Sequence, residues 1–500
     1  MIKELYENIR RGGDVRANLA ALKKEIKSEN GKRAFAYLLA GDYSGIGELL
    51  RHEDAKVRKN AALILGEMEC EDMLPALWQG YQAEQQLFVR PAYVKAMAAY
   101  DCRPYLQELQ KRRDFLMENS VSEETEKHVR EELTGLRALL AGYEREEGHV
   151  FTEVTRETDV ILLTNRAHRE ITREQLKEEH TVLLAGGVRV RTQDVEGLFH
   201  IRTWTEMLFP IRGAALLPEN PAEAAGMLAK SGLLPFLESC HKGNGAFYFR
   251  AEVRGSMERD EKTAFVKKFS LAFEKASGRK FMNSVSDYEI ELRLLQRKDG
   301  GFLPLLKLYT LKDERFAYRK QTLSASIQPA NAALVMALLK PYLKEGAQVL
   351  DPFCGVGTML IERERLLGAG YMYGVDIYAS AIEKAHVNAE AAKADINFIT
   401  RDFFDFHHKY LFDEIITNMP TVTGTKSKVE ITELYEKFLR KAPGMLEAGG
   451  IAAIYTTEEG ILQHCLKKCD LLKVLKHWTV REKEGSVLYV LQLEAGKDEK

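Results

Sequence analysis

The stretch Val349–Glu362, VLDPFCGVGTMLIE, constrains the fold more than any other part of the chain. An apolar run ends at Asp351, a loop with Gly355 and Gly357 follows, and a helical pattern begins at Thr358. Glycine lets the backbone approach a ligand closely, and the free N–H groups at the start of a helix favour a negatively charged or polar group. The stretch therefore predicts a strand, a ligand-binding loop and a helix, in that order.

Strand-like and helix-like segments alternate from Tyr318 to the end of the chain. After Asp351 the strand-like segments are MYGVDI, INFIT, DEIITN, GIAAIYTT and a closing antiparallel pair, KVLKHWTV and VLYVLQL. Alternation of this kind predicts a mostly parallel sheet with helices on both faces and a ligand site at the carboxyl ends of the strands. We therefore predict a multidomain α/β protein whose last domain, residues 313–500, is Rossmann-like with a seven-stranded sheet.

Acidic side chains follow three successive strands of this predicted sheet. Asp376 can accept hydrogen bonds from two ribose hydroxyls, Asp402 from the exocyclic amine of an adenine, and Asp351 can pair with an ammonium group. The chain has no GK[ST] sequence and lacks the third glycine of the dinucleotide fingerprint, so phosphate-binding interpretations fit poorly. An adenosine that carries an amino-acid zwitterion is S-adenosylmethionine. The alternative for each acid taken singly is a helix N-cap or a turn residue.

The fourth strand ends in Asn418-Met419-Pro420. At this point the chain resembles the amino-methylating class I methyltransferases, whose motif after this strand is (N/D/S)-(P/L/M)-P-(Y/F). The resemblance implies that Asn418 and neighbouring backbone carbonyls orient a planar amine toward the methyl group. Orientation is most of what a protein must add when the electrophile is already activated by its own positive charge.

The resemblance extends to the THUMP-containing RNA methyltransferases that modify guanine N2 in tRNA or 23S rRNA. The sequence DPFCGVGTMLIE is similar to that family's first motif, and RFAYRKQTLSASIQPANAALVMALL is similar to its linker. Segments Asp159–Ile211 and Phe249–Leu308 resemble its ferredoxin-like and THUMP units. The resemblance implies a ferredoxin-like unit over residues 150–214, a THUMP-like unit over residues 215–312, and structured RNA as the partner.

The predicted site has two parts. The catalytic residues are Asn418 and Pro420. The predicted cofactor-binding residues are Asp351, Phe353, Gly355, Gly357, Thr358, Asp376, Ile377, Asp402 and Phe403, with S-adenosyl-L-methionine as the cofactor and no metal.

One residue departs from the family's pattern. Thr421 stands where the family has an aromatic residue that stacks on the target base, and such stacking contributes about 1–3 kcal/mol per base. Tyr455, Phe353 and Phe403 are possible substitutes, although packing in the core or against the cofactor is the favoured role for each. Thr421 supports an alternative hypothesis, a catalytically degenerate RNA-binding or assembly factor. A protein amide methyltransferase and a nicotinamide-dependent oxidoreductase are two further alternatives.

In the middle region, LLAGGVRV predicts a hairpin and the segment Asp194–Phe209, DVEGLFHIRTWTEMLF, predicts an amphipathic helix. A later helix from Lys262 to Lys280 carries several basic residues. A basic helix is as often a solvated face as an RNA contact. The region therefore predicts an α+β arrangement without a chemical constellation of its own.

The first part of the chain, residues 1–147, is helical in pattern. The dipeptide Val-Arg recurs at Val15, Val57, Val89 and Val129, each time at the start of an apolar periodic segment. The spacing of 32 to 42 residues between these dipeptides is typical of a short HEAT-like α-solenoid, which presents a surface to a protein partner. The alternative is a non-repeating helical bundle. The charged stretch Glu144–Gly148 is interpreted as the boundary to the next region.

Composition excludes little. A net charge of -2 leaves nucleic-acid binding open, because a local basic face can be hidden in the sum. The chain lacks a run of about 18 apolar residues and an apolar signal segment, so we expect a cytoplasmic protein that does not enter a membrane. The six cysteines never form a CxxC pair, which argues against zinc.

Overall fold

The computed structural model describes residues 1–118, 126–144, 148–176, 180–324 and 326–494. The chain divides into two compact units, Met1–Gly148 and His149–Lys500. This division falls at the end of the charged stretch predicted as a boundary, of which residues 145–147 lie outside the described residues. Within the described residues, no helix is both long and apolar enough to cross a membrane.

The first unit contains α-helices and short 3₁₀ turns, and no strand among its described residues. Side chains of Asp14, Ser28 and Asp54 accept hydrogen bonds from backbone N–H groups at the starts of three of these helices, which compensates for missing intrahelical partners. The core lies between the helices, because α5 packs against α2 and α7, and α7 packs against α9. The helices are α1 (Ile2–Arg10), α2 (Val15–Glu25), α3 (Glu29–Leu39), α4 (Ser44–Glu48), α5 (Ala55–Met68), α6 (Leu74–Ala83), α7 (Arg90–Met97), α8 (Leu106–Glu118) and α9 (Glu126–Glu144).

The second unit begins with a mixed eight-stranded sheet in the order β3-β4-β2-β5-β10-β9-β7-β8. The two predicted α+β units share this one sheet, because β5 pairs with β10 across the predicted border at residue 214. The elements are β1 (Val150–Phe151), β2 (Thr158–Thr164), α10 (Arg169–Glu174), β3 (Thr181–Leu184), β4 (Gly187–Thr192), β5 (Trp204–Pro210), α11 (Pro221–Ala229), α12 (Leu233–Cys240), β6 (His241–Lys242), β7 (Phe247–Arg254), α13 (Arg259–Ala276), β8 (Phe281–Asn283), β9 (Ile290–Gln296) and β10 (Phe302–Leu308).

The helix predicted over Asp194–Phe209 is wrong. Only Glu196–His200 forms a short 3₁₀ helix, and Trp204–Pro210 is strand β5, paired with β2 and β10 in the middle of the sheet. The apolar residues of WTEMLF fit the period of a helix as well as that of a strand. Pairing with strands that are distant in sequence selects the strand.

The last part of the chain forms the predicted seven-stranded sheet, in the order β13-β12-β11-β14-β15-β17-β16. Among the described strands of this sheet, β17 alone runs opposite to the other six, because the closing hairpin places it between β15 and β16. Apolar residues of α14, α15 and α16 pack on one face, and those of α17 and α18 on the other. The elements are α14 (Pro329–Leu339), β11 (Gln348–Asp351), α15 (Thr358–Leu366), β12 (Tyr371–Asp376), α16 (Ala379–Ala392), β13 (Asn397–Thr400), β14 (Phe412–Asn418), α17 (Lys428–Lys441), β15 (Leu446–Thr456), α18 (Glu459–Leu466), β16 (Leu472–Arg481) and β17 (Ser486–Leu493).

Polar contacts join the two sheets of the second unit. Arg202, just before β5, makes two hydrogen bonds of 2.8 and 2.7 Å to the buried carboxylate of Glu362 in α15, which also accepts a 2.7 Å bond from Tyr318. Bidentate arginine–carboxylate pairs fix orientation as well as distance. The mixed sheet and the parallel sheet are therefore held in a defined mutual orientation.

Candidate active site

A cavity of about 710 Å³ lies at the carboxyl ends of β11, β12 and β14, beside the turn that follows β13. This volume lies within the range of about 300–1,000 Å³ typical of small-molecule sites. The predicted site residues that line it are Asp351, Phe353, Gly355, Thr358, Asp376, Ile377, Asp402, Phe403, Asn418 and Pro420. The structure thus brings together every predicted site residue except Gly357.

Gly357 packs against Phe398 behind the loop. It adopts a left-handed φ of +81°, and a Cβ added there would come within 2.9 Å of the Phe398 ring. Gly357 therefore permits close packing behind the loop and does not line the cavity. Gly355, with a φ of +52°, does line it, and its N–H donates a 3.0 Å hydrogen bond to the Asp376 carboxylate.

Asp351 is a buried carboxyl group at the base of the cavity. Its side chain is 1% exposed and accepts a 3.1 Å hydrogen bond from the N–H of Phe353. Burial raises the pKa of Asp351 to about 7, and the nearby charge of Asp376 adds to this effect. A buried carboxylate without a cationic partner is costly, so this site is suited to an ammonium group.

Asp376 and Asp402 are each held in place by backbone N–H groups. The two carboxylate oxygens of Asp376 accept bonds from Gly355 and Tyr378, and Asp402 accepts a 2.9 Å bond from Phe404. Asp402 therefore does cap a short helix, Phe403–Asp405, which was the alternative interpretation of this residue. Each carboxylate oxygen can accept a further hydrogen bond, so both side chains remain able to bind a ligand in the cavity.

Lys441 supports the Asp402 loop from behind. Its ammonium group donates hydrogen bonds of 2.8 and 2.7 Å to the carbonyls of Phe404 and Phe406. Ile377 lines the cavity and is 57% exposed, so its apolar side chain offers a surface for a flat ring. These contacts lie in the part of the cavity where the sequence predicts the adenosine.

Asn418 ends β14 and lines the cavity. Its side-chain amide has no hydrogen-bond partner within the part of the chain that the structure describes, although the residue is half-buried. The following backbone is fixed, because the Met419 N–H donates to the Tyr455 carbonyl at 2.9 Å and the Tyr435 hydroxyl donates to the Pro420 carbonyl at 3.1 Å. A rigid loop therefore presents an unpaired amide to whatever enters the cavity.

The aromatic side chains considered as substitutes for Thr421 are largely packed away. Phe403 and Tyr455 are buried, and Phe403 contacts the rings of Phe353 and Phe438. Thr421 itself lines the cavity. All three aromatic residues line the cavity, and of these Phe353 is half-buried.

Several cavity residues had not been predicted. Arg481 is the last residue of β16, Glu484 lies in the turn between β16 and β17, Lys426 in the loop after Asn418, and Gln328 and Asn331 at the start of α14. The resemblance of the linker sequence could have pointed to Gln328 and Asn331. No local pattern marks the turn residues, because their position depends on where β17 inserts into the sheet.

The proteins to which this chain is similar include methyltransferases. Residues 317–483 match the family of RMKL-like methyltransferase domains. The tRNA (guanine(6)-N2)-methyltransferase of Thermus thermophilus is 29% identical over 216 residues, which are 41% of this chain and 60% of that protein. The ribosomal protein L11 methyltransferase of Thermosipho africanus is 28% identical over 152 residues, 30% of this chain and 52% of that protein. These matches span between half and about three fifths of the relatives' lengths.

The fold of the second unit also has a counterpart among solved structures. The crystal structure of TrmN from Thermus thermophilus superposes with a TM-score of 0.52 and 22% identity, covering 67% of this chain and 99% of that one. The carboxy-terminal part of the chain is therefore a class I methyltransferase domain. Its cofactor is S-adenosylmethionine, as predicted from the strand-end residues. Among the described residues, no group of three or more His, Cys, Asp or Glu side chains is placed to hold a metal ion.

Cofactor affinity is expected to fall in mild acid. The raised pKa of Asp351, about 7, means that its carboxyl is protonated below neutral pH in the free protein, and the neutral form cannot pair with an ammonium group. We expect the Kd for S-adenosylmethionine to rise about tenfold per pH unit between about pH 7 and pH 5.5, where the α-amino group stays charged. Calorimetry across this range measures the effect. Asp351→Asn should bind weakly with no such slope, and a pH-independent Kd for the unaltered protein would contradict the assignment.

Proposed function

We propose that the chain is a S-adenosylmethionine-dependent RNA methyltransferase that acts on the exocyclic N2 amine of a guanosine in tRNA or 23S rRNA. The observation that carries this proposal is the unpaired Asn418 amide in the same cavity as Asp351, Asp376 and Asp402. The relative named as a tRNA (guanine(6)-N2)-methyltransferase supports the choice of acceptor.

The chain's own residues bind and orient the reactants. When bound, S-adenosylmethionine supplies a methyl group that is already activated by the sulfonium charge. The Asp351 carboxylate would hold the ammonium group, Asp376 the ribose hydroxyls and Asp402 the adenine amine. Asn418 Oδ1 accepts a hydrogen bond from the target amine, which directs the nitrogen lone pair into the cavity. The cofactor held in this way would supply its methyl group to the oriented nitrogen, which would lose one proton to solvent.

The remaining regions of the chain would deliver the RNA. We propose that the mixed sheet and its helices form the ferredoxin-like and THUMP-like units of an RNA-binding region. Lys267, Lys268 and Lys275 are exposed on α13, opposite the apolar residues Phe265, Phe269 and Phe273, which supports this role through phosphate contacts. We propose that the helices of the first unit are a HEAT-like array for a protein partner.

The acceptor can be tested with purified protein, labelled S-adenosylmethionine and total RNA from a strain that lacks the gene. We expect label in RNase-sensitive material and N2-methylguanosine by mass spectrometry of the nucleosides. The Asn418→Ala protein serves as the matched control for contaminating activity. Label that survives RNase and is lost with protease would instead establish a protein acceptor, and cofactor binding without transfer to RNA or protein would establish the degenerate alternative.

A further inference from the structure

The end of β16 and the turn that follows it carry two charged residues that line the active-site cavity. Arg481 and Glu484 line the cavity together with Asn418, whereas the intervening Glu482 does not. Arg481 and Glu484 form an ion pair of 2.6 Å, and their side chains are 43% and 48% exposed. Both groups can therefore exchange this mutual contact for contacts with a ligand, since an exposed ion pair contributes little to stability.

The turn lies on the acceptor side of the cavity. Strand β15 joins it to Asn418, because Tyr455 pairs in register with Asn418 on one side and with Leu488 of β17 on the other. Burial raises the pKa of Tyr455, the Glu484 carboxylate raises it further, and the Arg481 guanidinium opposes this. Both charged groups therefore lie close enough to Tyr455 to affect its titration.

The turn is held by the mixed sheet as well as by its own hairpin. The Asn165 side chain donates a 2.6 Å hydrogen bond to the Val480 carbonyl, and His168 Nε2 lies 2.8 Å from the Thr479 carbonyl. Arg481 is paired with Ser486 across the hairpin, and Gly485 closes the turn with a φ of +65°. The backbone that carries Arg481 is thus fixed by the domain proposed to bind RNA.

The two charges match one nucleobase edge and conflict with another. Guanine presents the N1–H donor between its N2 amine and the O6 acceptor, whereas adenine presents an unprotonated N1 acceptor. An ionised carboxylate only accepts hydrogen bonds and a guanidinium only donates them. Enzymes that act on an extruded base read its Watson–Crick edge in this way. A carboxylate facing N1 therefore favours guanine and repels adenine.

We propose that Glu484 and Arg481 are the specificity-determining pair for the acceptor base, with the Glu484 carboxylate accepting from guanine N1–H and Arg481 donating to O6. This inference rests on the proposed function, because it assumes that the N2 amine lies at Asn418. Hydrogen bonds and charge would then recognise the base, because Thr421 cannot stack on it.

The first test compares Glu484→Ala, Arg481→Ala and the control Glu482→Ala on RNA from the strain that lacks the gene. A lost hydrogen bond to a charged group corresponds to a decrease of about 10- to 100-fold in kcat/KM for N2-methylguanosine formation. We expect that decrease for both cavity variants, with no change for Glu482→Ala and an unchanged Kd for S-adenosylmethionine in all three.

The second test measures base choice directly. After the acceptor position is mapped, synthetic RNAs carry either guanosine or 2,6-diaminopurine riboside there; the latter keeps the N2 amine but has an N1 acceptor. The unaltered protein should prefer guanosine, and Glu484→Gln, whose amide can donate to N1, should reduce that preference by about tenfold or more.

An unchanged preference in Glu484→Gln, or normal turnover in Glu484→Ala, would overturn the role of the pair while leaving the proposed function intact. If the unaltered protein formed no N2-methylguanosine, the proposed function and this inference would both fail.

Discussion

Replacing Asn418 with alanine is expected to reduce methyl transfer by about 10²- to 10³-fold, the range observed when one preorganised polar group at a reacting centre is removed. The reason is geometric: the Asn418 amide is unpaired among the described residues, half-buried and mounted on a loop that Tyr435 and Tyr455 fix. Because the cofactor contacts are assigned to other residues, the Kd for S-adenosylmethionine should stay within about threefold. Single-turnover transfer and calorimetry on the same preparation separate the two quantities.

Asn397→Ala is a matched control for this variant. Asn397 is an asparagine in the same sheet, but it is the first residue of β13. It therefore lies at the amino-terminal edge of the sheet, opposite the cavity. We expect normal transfer from that protein. Normal turnover of Asn418→Ala would exclude Asn418 as the residue that orients the amine.

Replacing Asp376 with alanine is expected to weaken S-adenosylmethionine binding by about 10- to 100-fold, since hydrogen bonds to a charged group are lost. Two effects combine here. The ribose hydroxyls lose their acceptor, and the N–H groups of Gly355 and Tyr378 lose the carboxylate that holds the glycine loop against β12. At saturating cofactor, the transfer rate of Asp376→Ala should come much closer to that of the unaltered protein than the rate of Asn418→Ala does.

The effect of Asp376→Ala can be checked by calorimetry and by the dependence of transfer rate on cofactor concentration. Asp395→Ala is the control, because Asp395 is an exposed aspartate just before β13, at the other edge of the sheet. Cofactor affinity within twofold of the unaltered protein would show that Asp376 does not hold the ribose.

The residues at the strand ends were predictable because a parallel sheet imposes a simple rule. Each βα unit returns the chain to the same edge, so Asp351, Asp376, Asp402 and Asn418 had to meet if the alternation was right. The prediction needed only the ends of apolar runs, which are local features. The hairpin of LLAGGVRV was predictable for the same local reason: β3 and β4 pair there, and Ala185 and Gly186 form the turn.

Local patterns did not show the features that depend on distant segments. The sequence WTEMLF lies in β5 because it pairs with β2 and β10, although its apolar residues also suit a helix. The border expected near residue 214 is crossed by one sheet for the same reason. Gly357 was predicted to bind the cofactor, and its packing against Phe398, a residue about forty positions later in the chain, was not expected.

The sequence alone therefore determined the parallel sheet, the order of its strand-end side chains and the chemistry of S-adenosylmethionine that those side chains suit. These features follow from the period of apolar residues and from the residue types at the ends of the runs, which are properties of short segments. Only the tertiary structure decided that Arg481 and Glu484 share the cavity with Asn418. Their placement depends on the pairing of β17 with β15 and on the hydrogen bonds from Asn165 and His168 to β16. The paired strands are more than thirty residues apart in the chain, and the hydrogen-bonded residues are more than three hundred apart.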